Sequence, residues 1–289
     1  MIADNFAGKQ RIDFHRKRDF GELFNATFQF IREEFSTMIK PIIYVAVPLM
    51  LLSIFFIVMS YVITDGMSSI ATQIFEFLSQ ISTNILYICL MSVGYAYVKL
   101  YIAGEETTSS KVMEIFWKNI APMIGYTILI GILSSLGFLF LIIPGIYLAV
   151  TLQFVYPLKF VDEDSLDAPI KESFYVVKNY WWFTFGCLFV LSIIVLSVSM
   201  LIQLPGLLIL GTEMWTGLDQ LEYGMSDNMI IGLMLVSILD VIASITFIIP
   251  LVFMTLHYFN IKERKEETTL MSNIGTINEK NDFSDNIQD

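Results

Sequence analysis

Residues 118–159 read KNIAPMIGYTILIGILSSLGFLFLIIPGIYLAVTLQFVYPLK, and this stretch decides the fold. Between Lys118 and Lys159 there is no charged residue. The interval is roughly 60 Å of helix at 1.5 Å per residue, about twice the hydrocarbon thickness of a bilayer. A single crossing cannot use that length. Pro144-Gly145 breaks the helix near its middle, and a turn at headgroup level can hydrate the freed backbone groups. The stretch therefore reads as a tight hairpin of two membrane spans.

Working outward, the same length criterion predicts spans at Ile42–Ile63, Ile81–Ala103, Ala121–Ile143, Gly145–Val161, Trp181–Gln203 and Met229–Tyr258. The last is the longest, so it must tilt, kink at Pro250 or begin as an interfacial helix. Trp181 and Trp182 suit an interfacial aromatic belt. Composition agrees. The chain of 289 residues is 55% hydrophobic and only 16% charged, with mean hydropathy +0.66, whereas a soluble domain has about 25% charged residues. The expected fold class is an all-α membrane protein of six transmembrane helices, with the lipid bilayer as its first partner.

Basic residues set the orientation. All 17 Lys and Arg fall on one side of a six-span arrangement. Seven precede the first span, from Lys9 to Lys40. Lys99, Lys111 and Lys118 surround the second connection, and Lys159, Lys171 and Lys178 the fourth. Lys262, Arg264, Lys265 and Lys280 follow the last span. The segments Thr64–Gln80 and Leu204–Asn228 and the Pro144 turn have none. The positive-inside rule then predicts a multi-pass protein of a bacterial inner membrane with both termini cytoplasmic. No secretory signal peptide is expected. The net charge of −11 and the lack of a dense basic surface argue against nucleic acid as a partner.

Three segments have the i, i+3, i+4 spacing of amphipathic helices: Phe20–Phe35, Lys111–Asn119 and Ala168–Tyr180. Each leads into a span and is expected to lie in the membrane plane. The expected organisation is a cytoplasmic N-terminal segment over 1–40, a six-span domain over 41–261 and a disordered cytoplasmic tail over 262–289. Lys111, Lys118 and Asn119 match Lys171, Lys178 and Asn179, and Pro144-Gly145 matches a second turn at Pro205-Gly206. This offset suggests three helix-plus-hairpin repeats.

Chemistry is sparse. His15 and His257 are too few and too separated for a zinc motif, and no nucleophile elbow or phosphate loop occurs. His257 is expected to reach headgroups at the inner end of the last span. Cys89 and Cys187 lie in apolar runs and are expected as buried free thiols. No catalytic residue, metal or cofactor is expected. Asp240 is the one sharp feature, a carboxylate well inside the last span. Such a group is neutralised, paired or set against a wet cavity. It is read either as a proton or cation site, shared with Gln153 and Asn84, or as a packing lock bonded to Ser237 or Ser244. Lys99 is expected to snorkel to headgroups. Glu213, Asp219, Glu222 and Asp227 read as solvated charge on the last outer loop. Gly131 and Ser135, with Ser92, Gly94 and Ala96, are expected to allow close helix approach.

The ordered set Ile142-Ile143-Pro144-Gly145-Ile146-Tyr147-Leu148, Val155-Tyr156-Pro157, Asp162-Glu163-Asp164, Ala168-Pro169-Ile170-Lys171-Glu172-Ser173 and Val177-Lys178-Asn179-Tyr180-Trp181-Trp182 resembles the membrane domain associated with glycerophosphoryl diester phosphodiesterases. The opening Arg18-Asp19-Phe20-Gly21-Glu22-Leu23 and the exit Tyr258–Glu266 are similar to this family as well. Some members carry a phosphodiesterase barrel with a His-Arg-Gly motif. Here His15-Arg16 is followed by Lys17 and no length remains for a barrel, so no catalytic residue carries over. The resemblance implies architecture more than activity. The expected function is a non-enzymatic membrane scaffold or accessory protein that meets lipid or protein partners through its in-plane helices and tail. The alternative is a small-solute or lipid transporter or channel that uses the intramembrane carboxylate.

Overall fold

The computed structural model describes residues 11–62, 70–162, 168–216 and 227–285. Helices α1 (Phe20–Val62), α2 (Ile70–Ile102), α3 (Ser109–Phe140), α4 (Ile142–Leu152), α5 (Val155–Phe160), α6 (Pro169–Val177), α7 (Trp181–Thr216), α8 (Asp227–Ala243) and α9 (Ile248–Asp285) account for nearly all of them. Among the described residues there is no strand. Six segments are long and apolar enough to cross a bilayer: α1, α2, α3, α4 with α5, α7, and α8 with α9. The protein is an all-α, multi-pass membrane protein.

Sequence neighbours pack as hairpins, α1 on α2, α3 on α4 and α7 on α8. The middle belongs to α2 and α9. In its most apolar window α2 is 72% buried, against 17% for α3 and 11% for α7. Every residue from Leu251 to Ile261 of α9 is buried as well. A helix apolar and buried all round is a core helix, whereas exposed apolar faces such as those of α3 and α7 need lipid cover.

Proline chemistry explains where the helices break. Proline lacks the N–H that bonds the carbonyl four residues back, and its ring clashes with that carbonyl. Pro144 disrupts the bond to Phe140, where α3 ends. Pro157 disrupts the bond to Gln153, which caps α4. Pro250 disrupts the bond to Thr246, inside the 3₁₀ turn Ser244–Phe247 between α8 and α9. Of the tilt, kink or interfacial start expected for the last span, the structure shows a local change to 3₁₀ geometry a few residues upstream of Pro250. Pro169 opens α6, while Pro41, Pro48, Pro122 and Pro205 lie within helices.

Several expectations need correction. The turn between α3 and α4 is at Leu141 (φ −159°, ψ 146°). Pro144 is in the first turn of α4, where helical N–H groups have no intrahelical acceptor and its missing donor is not needed. Gly145 serves the crossing: a Cβ there would lie 2.5 Å from the Phe138 ring and 2.8 Å from its backbone nitrogen. Pro205-Gly206 is not a turn, because α7 continues through both. Gly206 instead admits α8, since a Cβ would meet the Val236 backbone nitrogen at 2.8 Å. The link between α7 and α8 falls on 217–226, outside the described residues, as do Asp219, Glu222 and the side chain of Glu213.

Two of the three in-plane helices are not separate elements. Phe20–Phe35 and Lys111–Asn119 are the first turns of α1 and α3, because nothing but Pro41 or Pro122 interrupts helix propagation into the spans. They also pack on protein: Leu23, Thr27, Phe30, Val112 and Phe116 are buried. Only α6 stands alone. Asn179 adopts φ 72°, a left-handed conformation that asparagine tolerates, and separates it from α7. The units at the expected 60-residue offset thus differ at Asn119 and Asn179. The segment expected as a disordered tail continues α9 as helix to Asp285. Helix extension from a folded span needs no new nucleus.

Candidate functional site

The three intramembrane polar candidates do not converge. Asp240 on α8 accepts a hydrogen bond from Gln203 Nε2 of α7, Oδ1 to Nε2 2.9 Å. Asn84 donates to the Gln80 carbonyl of its own helix at 2.8 Å and is exposed. Gln153 ends α4, half-buried. Ser237 and Ser244, the partners expected for Asp240, bond instead to the carbonyls of Leu233 and Val241. Gln203 was legible only as the end of a span. A polar side chain between apolar runs was its signal, the same one that marked Asp240.

Depth also separates the candidates. From Lys262 back to Asp240 is roughly 33 Å of helix, and from Trp181 to Gln203 the same. With the basic residues at one hydrocarbon edge, the Asp240–Gln203 pair lies near the opposite edge of a ~30 Å core. Beyond it the α7–α8 hairpin continues with Leu204, Leu208 and Ile231 exposed.

Gln153 lines a different feature, a cavity of about 520 Å³ between α2, α3, α4, α7 and α9. Tyr95, Leu188, Leu191, Leu196 and Leu251 share its wall. Tyr95 is 2% exposed and stacks beside Tyr156, ring centroids 6.1 Å apart. Among the described residues neither the Gln153 carboxamide nor the Tyr95 hydroxyl makes a side-chain hydrogen bond. Ser192, also in the wall, donates to the Leu188 carbonyl at 2.8 Å.

The densest polar bonding is at the basic end. Residues 11–19 form a strap over the ends of α1, α2 and α9. Phe14 is buried among Phe30, Tyr101 and Phe259. The Ile12 N–H donates to Tyr101 Oη at 2.9 Å. The Arg18 N–H donates to Asn260 Oδ1 at 2.8 Å, and Arg264 Nη2 donates to the Arg18 carbonyl at 2.8 Å. The Arg18 guanidinium donates to the carbonyls of Arg16 and Asp13. Loss of water on burial pulls its pKa below the usual arginine value, and Asp13 opposes the shift. His15 lies 3.2 Å from Glu263, and Lys17 pairs with Glu267. Asp19 and Glu22 then cap α1 reciprocally, the Glu22 N–H on Asp19 Oδ1 at 2.8 Å and the Asp19 N–H on Glu22 Oε2 at 3.1 Å.

Next to the strap, buried Asp162 accepts from Lys262 at 2.8 Å and from Tyr258. Lys265 donates to the Tyr175 carbonyl and lies 4.0 Å from that ring's centroid. These residues share a second cavity of about 550 Å³ with Glu172 and Glu266. Lys99 borders a third with Glu105, Lys111 and Glu114, within the same end group. The sequence had not indicated the strap, because its hydrogen bonds join residues about 240 positions apart.

His257 corrects another expectation. It is fully buried, with Nε2 2.9 Å from Thr184 Oγ1 and the rings of Phe154, Phe183 and Phe253 around it. A ring enclosed on every side cannot reach headgroups. Cys89 and Cys187 are buried and free, as expected. Gly131 and Ser135 border a shallow outer groove rather than a helix contact, and nothing lies within 4 Å of a Cβ at Gly131. Gly94 does admit a neighbour, since its Cβ would lie 2.6 Å from Leu251 Cδ1 of α9. Set against protein-family models, curated proteins and solved structures, the chain matches none.

Proposed function

We propose that the chain is a non-enzymatic scaffold or accessory protein of a bacterial cytoplasmic membrane, with both termini in the cytoplasm. The observation that carries this reading is the dispersal of Asp240, Gln153 and Asn84. Transport sites gather polar groups at one depth, whereas here Asp240 joins two helices near one edge and Gln153 faces an apolar cavity. The cytoplasmic placement of both termini is supported by the basic residues that the strap, α6 and α9 hold at one end. The ordered motifs from Ile142 to Trp182 support a stand-alone relative of the glycerophosphoryl diester phosphodiesterase membrane domain. Partners meet the protein through α6, the basic ends of α1 and α3 and the C-terminal segment.

Cross-linking in intact membranes is the test. It is expected to trap a reproducible protein neighbour at the basic end, lost when Lys171 and Lys178 are changed to Glu. Repeated purification without any neighbour, together with solute flux in proteoliposomes that Asp240→Asn abolishes, overturns the scaffold reading in favour of a transporter.

A further inference from the structure

We infer that the cavity walled by Tyr95 and Gln153 is a lateral binding site for one acyl chain of a phospholipid from the basic-side leaflet, with the lipid's ester oxygens held by those two residues. The inference goes beyond the scaffold reading and stands without it.

Three observations converge. The first is depth. Tyr95 is roughly 6 Å of helix from Lys99, and Gln153 roughly 9 Å of chain from Lys159. Leu196, in the same wall, is roughly 22 Å from Trp181. The cavity thus begins just inside the basic ring and runs for about one leaflet, half of a ~30 Å core. Ester carbonyls of a phospholipid lie at that shallow depth, with the acyl chain pointing inward.

The second is chemistry. The wall is apolar apart from Gln153, Tyr95 and Ser192, and the Ser192 hydroxyl already bonds to Leu188. The carboxamide of Gln153 and the hydroxyl of Tyr95 have no side-chain partner among the described residues. Polar groups in hydrocarbon are costly when unpaired. Both can donate, and an ester carbonyl only accepts. They lie at the shallow end, and the aliphatic wall lies at the deep end. That polarity matches a glycerolipid entering tail first.

The third is access. Ser192 and Leu196 of α7 are exposed at the margin of the cavity, on the helix whose apolar window is only 11% buried. The medium at this mouth is bilayer hydrocarbon, not water. A volume of about 520 Å³ lies within the range of ligand pockets and suits a chain rather than a whole lipid.

The probes are palmitoyl-oleoyl phosphatidylethanolamine and its diether analogue, titrated into delipidated full-length protein and followed by native mass spectrometry. One molecule of the diester lipid is expected to bind more tightly than the rest. Ala149→Phe fills the cavity and Ser192→Phe blocks its mouth; either is expected to abolish that tight step. The mouth position is exposed, so Ser192→Phe keeps the test open where Ala149→Phe does not fold. Gln153→Leu is expected to weaken the diester by about five-fold, the worth of one hydrogen bond, and to leave the diether unchanged. Unaltered tight binding in folded Ser192→Phe overturns the inference, as does a Gln153→Cys side chain that a membrane-impermeant thiol reagent modifies, because the cavity is then aqueous. A retained lipid with no cross-linked protein neighbour refutes the scaffold and leaves this site in place.

Discussion

Gln203 Nε2 donates to Asp240 Oδ1 at 2.9 Å and so ties α7 to α8 at the end of the bundle away from the basic cluster. The bond is a specific polar link between two helices that also approach closely at Gly206 and Gly232. An asparagine at 240 keeps an acceptor in place, so Asp240→Asn is expected to leave the unfolding temperature within about 2 °C. Gln203→Leu removes the donor and is expected to cost about 1 kcal/mol, a fall of about 2–4 °C. Scanning fluorimetry in detergent reads both. A larger loss in Asp240→Asn than in Gln203→Leu is incompatible with a packing bond.

The α3–α4 hairpin depends on a glycine-on-glycine crossing. A Cβ at Gly137 would lie 2.9 Å from the Gly145 Cα, and a Cβ at Gly145 would meet Phe138 on both ring and backbone. Gly145→Ala is expected to destabilise by about 1–3 kcal/mol through overpacking. Gly131→Ala on the same hairpin has open space around it and is expected to be neutral or slightly stabilising through helix propensity. The two variants compared by thermal unfolding separate crossing from composition.

Most of this architecture was legible in the chain because hydrocarbon imposes one length on every span. Six apolar windows and their one-sided Lys and Arg gave the helix count, and all six are present. Break positions were harder to read. Pro144 and Pro205 look alike in sequence, yet Pro144 lies in the first turn of α4, just after the break at Leu141, whereas Pro205 lies inside α7, where Gly206 meets α8. The amphipathic starts of α1 and α3 showed an apolar face but not what covers it. For α1 that cover is Phe14, Tyr101 and Phe253, supplied by other segments. Asp240 stood out as a charge in an apolar run, while its partner Gln203 required the pairing of α7 with α8. Local periodicity shows which face is apolar; only tertiary packing shows whether lipid or protein meets it.

The strap makes its own prediction. Asn260 is 1% exposed and serves both the Arg18 N–H and Arg264 Nε, the latter at 3.3 Å. Asn260→Leu leaves the buried Arg18 N–H without an acceptor, at about 1–3 kcal/mol, and releases the part-buried Arg264 Nε. The loss is expected to fall on residues 11–19, which are held by few other backbone bonds, rather than on the spans. Hydrogen exchange resolved by peptide should show faster exchange across the strap with α2 and the buried part of α9 unchanged. Phe14→Ala is expected to do the same by emptying its aromatic site.

The proposed orientation rests on where the basic groups are held. Arg18 and Arg264 meet at one end, with Lys262 on Asp162 and Lys265 on Tyr175 beside them. The far end, near Asp240 and Gln203, has no Lys or Arg within the α7–α8 hairpin. The positive-inside rule acts on short loops and their flanks, and all the connections here are short. Alkaline phosphatase fused after residue 220 is therefore expected to be active outside the cytoplasm, and the same enzyme fused after residue 285 inactive, with green fluorescent protein giving the reverse pattern. Changing Lys262, Arg264 and Lys265 to Gln and inserting three Lys after residue 220 should reduce the contrast, because the charge bias across α8–α9 then inverts. A fusion pattern that is unchanged by this swap means that packing of the α7–α8 hairpin, rather than charge, sets the direction of the last span.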